Sequence, residues 1–184
     1  MNFNKLAVAI TEDLKKVAQS IPNEKLPKEE QIRSCIYAEL RPDFEVVCVE
    51  RGYDPIENKS SVEVDIWARR TTGERYWIEI KRFWHVSARG WVHKPDEQLG
   101  AWQADLNKLA NVSREDTRIF ILIGFLATDP EIDISTIQTG AIHRLNNFYP
   151  GQRRYQALFP FTWRDSQVSR LSVTIWEWSH GEAI

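Results

Sequence analysis

Asp65, Glu79 and Lys81 are the residues of this chain whose types and spacing could do chemistry. They lie in SSVEVDIWARRTTGERYWIEIKR, residues 60 to 82, which reads as two strands turning at Thr72-Gly73. Side chains in a strand alternate faces, so Glu79 and Lys81 share one face while Ile78 and Ile80 take the other. Two acids and a lysine converging on one face can assemble a site for metal-dependent hydrolysis of a phosphodiester. A hard cation such as Mg²⁺ takes carboxylate and carbonyl oxygens and keeps some of its waters. Asp65, Glu79 and the backbone carbonyl of Ile80 could supply those oxygens. The metal would polarise the phosphate and lower the pKa of a bound water. Lys81 could orient that water and stabilise charge developing on the phosphoryl oxygens. It would also offset part of the repulsion between the two carboxylates.

The plainer alternative is a cross-strand salt-bridge ladder on a solvated sheet face, where acids opposite lysines are common. The apolar context weighs against it. Trp67, Trp77 and Phe83 also alternate onto the acid-bearing face. Charges among aromatics need a reason, because burying them is expensive.

The elements around these strands are readable from periodicity. Residues 3 to 20 read as a helix, with Leu6, Ala9, Ile10, Leu14 and Val17 at helical spacing. A second helix covers about 28 to 40, its stripe formed by Ile32, Cys35, Ile36 and Leu40. Glu29 falls close to that stripe, and Glu30 lies further round, near Arg33 and Tyr37. Arg41-Pro42 ends the helix. Phe44 to Glu50 is a short valine-rich strand, followed by strands over about 61–70 and 74–82. Residues 83 to 94 read as a loop carrying Trp84, His85, Arg89, Trp91 and His93. Pro95 opens a helix to about Asn111, lined by Leu99, Trp102, Leu106 and Leu109. Gln98 and Asp105 flank that apolar face on one side and Gln103 on the other. RIFILIGFL, residues 118 to 126, has the continuous apolar character of a strand buried on both faces. A helix over about 131–147 and a last strand over 168–178 complete the order α-α-β-β-β-α-β-α-β.

The 184 residues, 42% hydrophobic and 27% charged, suit one soluble domain spanning 1–184. The N-terminal apolar stretch is too short for a signal peptide or membrane span, so a cytoplasmic protein without membrane contact is expected. Cys35 and Cys48 have no CxxC spacing, and free thiols are the default. His85, His93, His143 and His180 do not make a zinc set. Net charge is −2 and the isoelectric point about 6.1. That counts mildly against nucleic acid as partner, but a local basic patch can do the electrostatic work. Two candidates are Arg153, Arg154, Arg164 and Arg170, and Lys81-Arg82 with Arg69-Arg70. Trp84 and Trp91 could stack on an unpaired base. His85, four residues past Lys81, could approach the same site.

With its acids and lysine on the second and third strands of an α-β-β-β-α-β run, the chain resembles the PD-(D/E)xK nuclease superfamily, the restriction-endonuclease-like fold. Asp65 matches the first motif acid, and Glu79-Ile80-Lys81 the (D/E)-x-K part. Val64 stands where many members have proline. Gln98 is followed by Trp102 and Gln103 by Asn107, so the Gln-x-x-x-Tyr pattern of one subgroup is absent. The resemblance implies an α/β fold with a mixed central sheet flanked by helices, its core at about residues 28–126. An extra N-terminal helix and a C-terminal α-β extension would flank that core. It implies a DNA endonuclease dependent on Mg²⁺ or Mn²⁺, with RNA not separated from DNA and a homodimer allowed. Asp65, Glu79 and the Ile80 carbonyl would hold the metal, and Lys81 would position the attacking water. Glu29 or Glu30 would make an outer contact or hold a second metal. Arg82, Trp84, His85, Gln98 and Gln103 would face nucleic acid. Defence, repair and mobile-element biology are all compatible. The competing expectation is a non-catalytic protein of the same fold, acting as a binding or immunity-like partner.

Overall fold

The computed structural model describes residues 1–20, 27–52, 63–85, 95–127, 153–162 and 168–179. The described elements are α1 (Phe3–Ser20), α2 (Glu29–Leu40), β1 (Val46–Gly52), β2 (Glu63–Arg69), β3 (Arg75–His85), α3 (Pro95–Ala110), β4 (Thr117–Ala127), β5 (Arg153–Pro160) and β6 (Val168–Trp178). The strands form one six-stranded mixed sheet in the order β1-β2-β3-β4-β6-β5. β3 and β4 are parallel and all other neighbours antiparallel. A parallel pair needs a crossover, which α3 supplies.

Helices cover both faces. α1 and α2 turn Leu6, Ile10, Leu14, Ile32, Ile36 and Leu40 onto Ile66, Ile78, Ile80, Ile119, Ile121 and Ile123. α3 turns Leu99, Trp102, Leu106 and Leu109 onto the opposite face, against Trp67, Trp77, Phe83, Phe120 and Leu122. β4 lies between β3 and β6, and Ile119 to Ile123 are fully buried, as the unbroken apolar run implies. Each such side chain removed from water contributes about 1.5–3 kcal/mol. Among the described residues no helix is long and apolar enough to cross a membrane.

Three expectations need correction. Trp84 and His85 belong to β3 rather than to a loop, because β3 stays paired with β4 through His85 and Leu126. β5 is an additional strand in a stretch read only as a basic patch. Its mixed polarity, RRYQALFP, fits its edge position, where among the described strands it pairs with β6 alone. The first sheet strand runs Val46–Gly52, two residues later than expected at each end. The helix expected over 131–147, together with Arg89, Trp91, His93, His143, Arg164 and His180, lies outside the described residues.

Gly73 closes the β2–β3 turn at φ 91°, a conformation glycine adopts without Cβ strain. Its N–H donates to the Arg70 carbonyl at 3.0 Å. Gly124 serves a different need. A Cβ there would lie 2.3 Å from both Phe83 Cζ and Ser172 Oγ. The Phe83 ring cannot simply swing away, since it packs edge-on against Trp102 at 5.7 Å. Gly124→Ala is therefore expected to destabilise by about 1–3 kcal/mol through overpacking. Urea unfolding measures it, and an unchanged midpoint would mean that the ring moves freely.

Candidate active site

The site arises where two strands part. β2 and β3 pair from Arg69–Arg75 to Ile66–Ile78 and no further. β3 then continues beside β4 to His85, while β2 continues beside β1 to Glu63. Asp65 sits in the fork. Its Oδ2 accepts the Ile80 backbone N–H at 2.8 Å, so a side chain serves a donor that the departing strand leaves behind. In a strand one residue's N–H and C=O point to the same side. The Ile80 carbonyl therefore faces the fork as well.

The local chain explains why β2 leaves. Regular alternation would send Asp65 to the α3 side with Trp67. Instead Val64 joins the α3-side cluster, and Asp65 Oδ1 accepts Arg33 Nη1 of α2 at 3.2 Å. On β1, Glu50 has φ 52°, the only described non-glycine residue in the left-handed region. It stands where the β1–β2 register skips the Glu50–Asp65 pair. That backbone costs roughly 1–2 kcal/mol. Arg33 Nη2 holds the Glu50 carboxylate at 2.8 Å and so ties the irregular residue to Asp65.

Glu79 lies on the α3-facing side of β3, between Trp77 and Lys81, and is only 2% exposed. Lys81 shares that side. Its Nζ lies 3.1 Å from Asp105 Oδ2 of α3 and 3.7 Å from Glu29 Oε2 of α2. These acids belong to helices on opposite faces of the sheet. One ammonium can reach both because the fork opens the sheet between them. Burial pushes the Lys81 ammonium toward neutrality, but Asp105, Glu29 and Asp65 outweigh it and raise its pKa above 10.5. Lys81 is thus a cation at neutral pH. A raised lysine pKa stabilises the fold fully below the unfolded value, and that contribution fades as pH climbs through the folded value.

The candidate residues differ in placement. Asp65, Ile80, Lys81 and Glu29 come together. The two acids expected on one face do not share it: Glu79 stays on the α3-facing side, whereas the broken alternation of β2 turns Asp65 to Arg33 of α2. Glu30 lines a groove of about 440 Å³ between α2 and β1, together with Tyr37, Val47, Val49 and the Arg33 and Glu50 that border the fork. Arg82 is exposed and Gln103 partly buried. The side chains of Trp84, His85 and Gln98 lie outside the described set. Arg33 and Asp105 belong to the site although neither is prominent in the sequence. Arg33 follows Glu29 by four residues and so shares its helix face. Asp105 is an acid at the edge of the Leu99–Trp102–Leu106–Leu109 stripe, and an acid there needs a partner.

Around the fork, Arg33 pairs with Glu50 and Asp65, and Asp105 pairs with Lys81 and Lys108, with Glu29 also near Lys81. Among the described residues no three of His, Cys, Asp and Glu converge tightly enough to hold a metal by themselves. Comparison with protein-family models, curated proteins and solved structures finds no match to this chain.

Proposed function

We propose that the chain is a metal-dependent nuclease that hydrolyses DNA phosphodiester bonds on a restriction-endonuclease-like plan. The observation that carries this reading is the fork, with Asp65 on the departing strand and Glu79-Ile80-Lys81 on the one that continues. Asp65, Glu79 and the Ile80 carbonyl would hold Mg²⁺ or Mn²⁺. The donors are all hard oxygens, which such a cation prefers. Such an ion supplies Lewis acidity and a bound water of lowered pKa.

The chain's own residues would do the rest. Lys81, protonated and held by acids from both helical layers, would orient the attacking water and stabilise the phosphoryl oxygens. Glu29, rather than Glu30, would make the outer contact, because it is the one near Lys81. Arg82 is exposed and free to meet phosphate. Gln103 of α3 is the described candidate for the approach of the strand. DNA is the substrate we favour; RNA presents the same phosphodiester. Defence, repair and mobile-element roles all fit such an enzyme.

One observation favours a second reading, a non-catalytic binding partner of the same fold. The acids at the fork have cationic partners inside the protein, Arg33 for Asp65 and Lys81 with Lys108 for Asp105. A nicking assay separates the two. A nuclease relaxes supercoiled plasmid with Mg²⁺ or Mn²⁺, and the cation raises its melting temperature by mass action. Calorimetry that finds no Mg²⁺ or Mn²⁺ binding, even with DNA present, would leave only the binding partner.

A further inference from the structure

We infer that Asp105 is a positioning residue that sets where the Lys81 ammonium stands, an inference that rests on the nuclease reading. Two acids hold that ammonium, and they are unequal. Glu29 is 3.7 Å away with its side chain 39% exposed, whereas Asp105 is 3.1 Å away with its side chain 7% exposed. An exposed carboxylate at the longer distance is screened by solvent and salt. A buried one in hydrogen-bond reach acts through a lower dielectric and holds a defined geometry.

Asp105 is itself fixed. It stands one turn past Trp102 and one turn before Leu109, both of which anchor α3 to the sheet. Its Oδ1 is held by Lys108 Nζ at 2.6 Å, so each carboxylate oxygen faces one lysine. Lys108, Asp105 and Lys81 form a chain of charge-assisted contacts from the rigid helix to the fork. Lysine is a flexible point charge with many rotamers. Without this tether it would spread over them, and a displacement of about 1 Å at a catalytic centre can cost about 100-fold in rate. Both oxygens of Asp105 are engaged by ammonium groups, so it acts through Lys81 and not as a metal ligand.

The test is a cleavage cycle on full-length protein, using supercoiled plasmid and Mg²⁺. Asp105→Asn is expected to lower kcat by about 10–100-fold with KM and Mg²⁺ affinity within about threefold of wild type. In a Lys81→Ala background the same change should add less than about twofold, because the group it positions is already gone. A merely structural residue would instead lower activity by the same factor in both backgrounds. Asp105→Leu suits the neighbouring apolar stripe and serves if the amide variant does not fold. Equal losses in the two backgrounds, or an undiminished Asp105→Asn enzyme, would overturn the positioning role alone. A wild type that does not cleave would bring down the nuclease reading and the positioning role with it.

Discussion

Lys81→Ala is expected to lower plasmid cleavage by about 100-fold or more while divalent-cation binding stays as strong or strengthens. The two effects part because Lys81 is a cation held among acids. Its Nζ contacts Asp105 and Glu29, and Asp65 also acts on its charge. Removing it raises the negative potential at the fork, which favours a divalent ion, and removes the group that would act on the attacking water. Asp65→Asn should differ in losing the melting-temperature response to Mg²⁺ along with cleavage. Asparagine is the better probe than alanine. It can still accept the Ile80 N–H, whereas alanine would leave that donor unpaired at a cost of about 1–3 kcal/mol. In a simple salt-bridge ladder each of these changes would alter stability by only about 1 kcal/mol. Metal response would then be absent in wild type and variants alike. Titration calorimetry and a nicking time course on the three proteins distinguish these outcomes.

Ile121→Asp is expected to destabilise the fold by about 4–5 kcal/mol or more, enough to consume much of a typical domain's 5–15 kcal/mol. Ile121 is fully buried on the central strand, in register with Ile80 of β3 and Ile175 of β6. It faces the α1–α2 layer with Ile119 and Ile123. A carboxylate there would have no water, and either the charge or the strand must leave the core. For a domain of this size the melting temperature should fall by roughly 10–20 °C. Ile121→Val, which removes one methylene, should cost only about 0.5–1.5 kcal/mol. A melting temperature unchanged in the aspartate variant would mean that β4 is not the core strand. Ile121 also backs Ile80, whose main chain meets Asp65, so any partly folded aspartate variant should lose metal response as well.

The sequence by itself determined the elements whose signal is local. Ile32, Cys35, Ile36 and Leu40 mark one stripe of α2, and all four are buried. The apolar run of β4 announces a strand covered on both faces, because alternation vanishes only when neither face meets water. The alternation of β3 sets Trp77 and Phe83 on the same side as Glu79, and they are buried with α3. Tertiary structure decided the rest. The end of β2–β3 pairing, the interrupted alternation at Val64–Asp65 and the left-handed Glu50 depend on how three strands meet. β3 runs on through Trp84 and His85 because β4, some forty residues later in the chain, supplies hydrogen bonds. Glu29 and Glu30 were separable only by helix rotation, and the position of Lys81 at the fork selects Glu29. Arg33 and Asp105 enter the site from helices on opposite faces, 72 residues apart in sequence. Periodicity reports which face of its own element a residue occupies, whereas the partner across an opening in the sheet is set by packing between layers.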